Sequence, residues 1–317
     1  MRTVFLTPNI KTSCLGFGTA TLARMDSHGA ITKMLGVALD AGITHFDTAR
    51  LYGYGSMERL VGNVIRGKRD QITIATKFGL QPPLRNRTFG ALLQRIKGAV
   101  KKFGFLRARA QAFARKLTVG CYDVASACAS LEVSLKELGT DYVDLFLVHE
   151  GSVANATDEA LLSFLEAEKA AGRIRAFGLA ADFATTCTMP DAALQRYDVI
   201  QIPSDVVNAN LDTLSASQRG TIITHSVFAP LQMISERLAR SESLSRMWES
   251  QLGVDLHDRS TLPRLLTQSA LAGNPKGITL FSATEEAHIR ANVAATENLL
   301  SEEKRILLRK LVWELAS

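Results

Sequence analysis

No apolar run in the 317 residues reaches the roughly 18 that a membrane-spanning helix needs. The opening MRTVFLTPNI has no apolar core leading to a small-residue cleavage site, so it does not read as a signal peptide. Cysteine is scarce: Cys14, Cys121, Cys128 and Cys187 are scattered, with no C-x-x-C spacing. That leaves no zinc or redox signature and reads as reduced thiols in a cytoplasmic protein without a membrane partner. The six histidines show no H-x-x-x-H spacing, so no metal is expected. No G-x-x-x-x-G-K-S/T cradle is present. No Pro- or Ser-rich linker divides the chain, and residues 1–317 read as one domain. Acid is missing locally: residues 81–120 carry ten Lys or Arg and no Asp or Glu. Without those ten charges the net +6 becomes −4, so the basic character belongs to one segment. A general affinity for nucleic acid is therefore not expected.

What is present is a globular composition, 46% hydrophobic and 21% charged. Short runs apolar on both faces recur at 14–20, 43–49, 72–79, 142–150, 174–182, 199–205, 221–231 and 277–283. Such runs suit a parallel sheet covered by helices. Helical patterns lie between them, at 30–42, 56–67, 124–139 and 158–172, and a last amphipathic one at 301–316. Ser56 offers an N-cap with Glu58 in the first turn, and Gly42, Gly139 and Gly172 offer stops. The weakest unit is 208–220, where only a short helix is expected. Eight strand–helix alternations imply right-handed βαβ units and a single (β/α)8 TIM barrel with a basic helical insert after the third strand and a C-terminal helix. LGFGTATL (15–22) approaches a dinucleotide fingerprint, but its third small position is Thr21 and no strong helix begins there. It reads as the first barrel strand. Trp248 and Trp313 lie in helical patterns and read as packing residues.

Active sites of such barrels sit at the C-terminal ends of the strands. Asp47 closes the second run, Lys77 lies near the end of the third and His149 ends the fourth, with Tyr52 on the loop after Asp47. Taken singly, these are a cap, a surface lysine, a strand-end histidine and a half-buried aromatic. Together they suit carbonyl reduction. Hydride transfer to a carbonyl leaves an alkoxide, which needs a proton from a positioned acid. A phenol with a pKa of about 10 becomes a better acid beside an ammonium. The expectation is that Lys77 lowers Tyr52, Asp47 keeps Lys77 charged, and His149 orients the carbonyl.

GITHFDTARLYGYGSMERLVG, IATKFG and LGTDYVDLFLVH resemble the acid-and-tyrosine block, the lysine strand and the histidine strand of the aldo-keto reductase superfamily. The similarity runs along nearly the whole chain. It implies a catalytic tetrad of Asp47, Tyr52, Lys77 and His149, with Tyr52 as proton donor. It also implies NADPH as cofactor, with NADH the alternative, and a small carbonyl or sugar substrate. The resemblance places Gly18, Thr19 and Asp47 near the cofactor, Gln201 at its nicotinamide carboxamide, and Phe228 as the stacking aromatic, with His225 as the second match. Ser282, His288 and Asn292 fall at its adenosine-phosphate positions, with Arg290 two residues beyond His288. Where the family has a Ser and an Asn after the fifth strand, this chain has Ala180 and Ala181, with Asp182 as a substitute.

The insert at 81–120 follows the third strand and so emerges at the active-site mouth. It reads as a solvated helical flap, or as a lid whose cations attract an anionic substrate, a carrier-protein-bound substrate or the cofactor phosphates. A non-catalytic protein that senses the nicotinamide cofactor on the same fold is the alternative function.

Overall fold

The structure, a computed structural model, describes residues 1–25, 27–81, 119–214 and 221–316. Its strands are β1 (Thr3–Thr7), β2 (Ile10–Ser13), β3 (Leu15–Gly18), β4 (His45–Asp47), β5 (Thr73–Phe78), β6 (Leu80–Gln81), β7 (Val119–Gly120), β8 (Val143–His149), β9 (Ile174–Ala180), β10 (Val199–Pro203), β11 (Thr221–His225) and β12 (Ile278–Phe281). Eight of them form a closed parallel barrel in the order β3-β4-β5-β8-β9-β10-β11-β12. These are the eight runs expected from the sequence. Every residue of β5 and of β8 is buried, as strands covered on both faces must be. The run expected at 221–231 stops at His225, because Ser226 turns to a φ of 69° and helix Leu231–Ala239 follows.

The helices between the strands end where the sequence marks them. Val124–Leu138 starts on Asp123, whose side chain accepts from Ser126 N, and stops at Gly139 in the left-handed region. The expected cap of helix Met57–Ile65 differs: Ser56 makes no cap bond, and its Oγ donates to Gly53 O instead. Between β10 and β11, among the described residues, only Asn210–Thr213 is helical.

The N-terminal hairpin β1–β2 was not expected. It lies at the N-terminal end of the barrel, where Thr221 Oγ1 donates to Leu6 O and Thr12 meets Thr44 Oγ1. The core is the barrel interior and its helical coat. A second apolar cluster around Trp248 joins helices Leu231–Ala239, Glu242–Leu252, Thr261–Gly273 and Glu302–Ala316. Trp313, expected to pack, is 68% exposed. Each fully buried Leu, Ile or Phe contributes about 1.5–3 kcal/mol.

Most of the basic insert, residues 82–118, lies outside the described residues. Its two ends are described. β6 pairs antiparallel with β7, and Cys121 N donates to Gly79 O at 2.8 Å. The insert therefore leaves and rejoins the barrel beside the C-terminal end of β5. Among the described residues, no helix is long and apolar enough to cross a membrane.

Candidate active site

The barrel register brings the predicted residues onto one face of the strands. Asp47 stands opposite Gly18 and Ala75, and Lys77 opposite Leu147. Ala180 stands between His149 and Gln201. Side chains in a strand alternate in direction, so residues in step with Asp47 point into the barrel mouth with it.

The contacts bear this out. Lys77 Nζ donates to Asp47 Oδ1 at 2.5 Å and to Thr48 O at 3.0 Å. Gln201 Nε2 donates to the other Asp47 oxygen at 3.2 Å. Asp47, Lys77 and Gln201 are all buried, and each would be costly there without its partners. Tyr52 is half-buried at the start of the turn Tyr52–Gly55. Gly53 and Gly55 take positive φ in that turn (59° and 87°) and let the chain fold back over the mouth. Lys77 Nζ lies 5.1 Å from the Tyr52 ring centroid. The Tyr52 and His149 rings meet edge to face, with centroids 5.9 Å apart. All four predicted residues therefore converge.

Their electrostatics depart from the sequence expectation at Tyr52. Burial pushes the phenol above its ordinary value. The Lys77 charge pulls it down, as expected, but does not outweigh burial, and Asp47 adds to the rise. The phenol keeps its proton at neutral pH. Burial pulls Lys77 down, but Asp47 and Tyr52 outweigh it and hold the ammonium above its usual range. Burial, with Lys77 and His225 adding to it, lowers His149 to about 3, so its imidazole is neutral.

Two further residues support this cluster, Thr19 from the predicted set and Glu58, whose role the sequence did not show. Thr19 is buried and gives both N–H and Oγ1–H to Asp47 O, at 2.9 and 3.0 Å. Glu58, expected in the first turn of its helix, is fully buried. It takes Arg50 Nη1 at 2.6 Å and Thr76 Oγ1 at 2.7 Å. One carboxylate thus ties the segment leading to Tyr52 to the strand carrying Lys77. The outward position of Thr76, next to inward Lys77, was the available signal.

The predicted cofactor residues divide. Gly18 and Ser282 join the exits of β3 and β12, since Ser282 Oγ donates to Gly18 O. Gln201 Oε1 is buried with no hydrogen-bond partner among the described residues. Phe228, expected to stack on the cofactor, is half-buried and packs against both apolar clusters. The second match, His225, ends β11. It lies one step beyond Ile223 on the face of Gln201, and burial lowers it to about 4, with Lys77 adding to that and Asp47 opposing it. Asn292 is turned inward: its Oδ1 accepts from Thr267 at 2.6 Å and its Nδ2 donates to His288 O at 2.7 Å. His288 is exposed on helix Glu286–Ala294. Arg290 is paired with Glu286 at 2.9 Å, which also approaches Lys33 at 3.6 Å. Glu285 makes no cap bond at that helix's start. Ala180 and Ala181 are buried and offer no side-chain donor. Asp182, their expected substitute, is occupied in capping helix Phe183–Thr188 through Thr185 N at 2.7 Å.

Comparison with known proteins agrees with this fold. The family model of the aldo/keto reductase family matches residues 14–218. The aldo-keto reductase YhdN of Bacillus subtilis is 32% identical over 176 residues, covering 54% of this chain and 44% of that protein. The NADP(+) aldo-keto reductase yakc of Schizosaccharomyces pombe is 29% identical over 194 residues, covering 59% of this chain and 48% of that protein. The matched region thus spans a little under half of either relative's length. In fold, the glycerol dehydrogenase of Gluconobacter oxydans superposes with a TM-score of 0.72 at 16% identity, over 98% of this chain and 95% of that one. An aldo-keto reductase of Klebsiella pneumoniae in complex with NADPH gives 0.64 at 19% identity over the same shares. With a family match over most of its length and the barrel of that family's solved members, this chain belongs to the aldo/keto reductase family.

Proposed function

We propose that the protein is an NADP(H)-dependent oxidoreductase that interconverts a small carbonyl compound (an aldehyde, ketone or sugar) and its alcohol, with Tyr52 as the proton donor. One observation carries this reading: the Tyr52 phenol, a buried Lys77–Asp47 pair and the His149 imidazole meet at the barrel mouth. The acceptor Gln201 Oε1, unpartnered among the described residues, suits a carboxamide N–H, such as the one nicotinamide carries. It is the residue we assign to hold that end of the cofactor, with His225 beside it. The uncapped start of helix Glu286–Ala294 suits a phosphate, with His288 and Arg290 near it. Relatives named for NADP(+) and NADPH support NADP(H) as the cofactor.

A bound nicotinamide would supply the hydride. The chain's part is to hold and protonate. His149, neutral, hydrogen-bonds the carbonyl oxygen and fixes its aim. As negative charge gathers on that oxygen, the Tyr52 hydroxyl gives up its proton. The phenolate left behind is stabilised by Lys77, whose charge Asp47 maintains. Lys77 therefore acts mainly on the state after transfer, because burial dominates before it.

Ala180 and Ala181 leave Gln201 with less help in holding a carboxamide, which favours a second reading, a cofactor sensor without turnover. Fluorescence titration with NADPH and NADH, followed by an aldehyde panel that includes 4-nitrobenzaldehyde, separates the two. NADPH oxidation that depends on the aldehyde supports the reductase. Cofactor binding without turnover of any carbonyl supports the sensor.

A further inference from the structure

We infer that Tyr122 is a positioning residue for the proposed reaction, setting where His149 stands relative to the exit of the lysine strand. The inference rests on the reductase reading for its catalytic consequence and on geometry for its premise. The Tyr122 ring occupies a slot made by three glycines from three segments of the chain. A Cβ at Gly79 would collide with it, one at Gly120 would lie 2.8 Å from its Cε2, and one at Gly151 would lie 3.3 Å from its Cε1. Gly79 comes two residues after Lys77, and Gly151 two residues after His149. The ring is therefore wedged between the two strand exits that carry predicted site residues.

Its hydroxyl donates to the backbone carbonyl of His149 at 2.7 Å. The next residue, Glu150, takes a φ of 52°, a left-handed conformation uncommon for a residue with a side chain. A chain held there needs its surroundings to hold it, and Tyr122 is on the carbonyl at the point of turning. Burial, with Glu150 adding to it, pushes the phenol up to about 12, so it remains a donor across ordinary pH. Tyr122 also directly follows β7 and Cys121, where the basic insert rejoins the barrel. One residue thus joins the root of that insert to His149.

A ring that merely filled space would be replaced by phenylalanine without consequence. Tyr122→Phe keeps the ring in its slot and removes only the hydroxyl. Steady-state kinetics with NADPH and an aldehyde should show kcat lower by about 10-fold, less than the ~100-fold that an ångström of misplacement costs. Cofactor affinity by fluorescence should hold, and the urea midpoint should fall only slightly, by the loss of one hydrogen bond. The imidazole ¹⁵N resonances of His149 should move while those of His45 stay. Unchanged kcat overturns the inference, as does a loss that tracks cofactor affinity or the urea midpoint. If the wild type reduces no carbonyl, the reductase reading falls, and the resonances decide Tyr122 alone: an unmoved His149 signal overturns it and a moved one supports it.

Discussion

Replacing Lys77 with Met removes the ammonium and keeps most of the stem. Asp47 is then a carboxylate only 3% exposed, whose remaining side-chain partner is Gln201 Nε2 at 3.2 Å. Deleting one partner of a buried pair costs about 3–5 kcal/mol, because the other charge stays behind uncompensated. Adding Asp47→Asn removes that stranded charge. The double variant should therefore recover part of the loss, giving a coupling of about 2–3 kcal/mol. Urea denaturation of wild type, both single variants and the double, at matched slopes, measures it. Turnover should not follow stability. Neither Lys77→Met nor the double variant has the ammonium that stabilises the Tyr52 phenolate, so both should lose about 10²–10⁴ in aldehyde reduction. Strictly additive stability losses would refute the buried-pair account. Recovery of turnover together with stability would refute the role given to Lys77.

Two further outcomes follow from the same electrostatics. Tyr52 is protonated below a folded pKa raised beyond 10.0, and His149 is neutral above about 3. Aldehyde reduction at saturating cofactor should therefore be level from about pH 5 to about pH 9; an inflection near pH 7 in a pH–rate profile would contradict these assignments. His45 is fully buried, with neither ring nitrogen partnered among the described residues, and burial lowers it from 6.5 to about 4. A lowered base favours the unfolded state once that state protonates. Its stability is therefore complete above pH 6.5 and falls as pH drops from 6.5 to about 4, by about 3 kcal/mol in all. Urea midpoints of His45→Phe should lack that part of the acid loss. An acid dependence equal to wild type would contradict it.

The barrel was legible because β5 and β8 are apolar on both faces, which only a covered parallel sheet tolerates. Asp47, Lys77 and His149 were legible because each is a polar residue at or near the end of such a run. What escaped was set by contacts between distant segments. The direction of the Tyr52 shift depends on how deeply the turn buries it, which no spacing encodes. Phe228 and His225 are three residues apart, and only the β10–β11 register puts His225 on the face of Gln201. Asn292 matched a cofactor position, yet Thr267, from another helix, takes its oxygen. Glu58 looked like a helix-start acid until Arg50 and Thr76 enclosed it. The slot around Tyr122 needs Gly79, Gly120 and Gly151 at once, and they are far apart in the chain.

The central claim is that the Tyr52 hydroxyl delivers the proton in carbonyl reduction. Tyr52→Phe tests it most directly, because it removes one oxygen and leaves the edge-to-face packing on His149 in place. With saturating NADPH and an aldehyde the wild type reduces, kcat should drop by about 10²–10⁴ while the NADPH dissociation constant stays within experimental error. A variant that reduces the aldehyde at near wild-type rate would contradict the account.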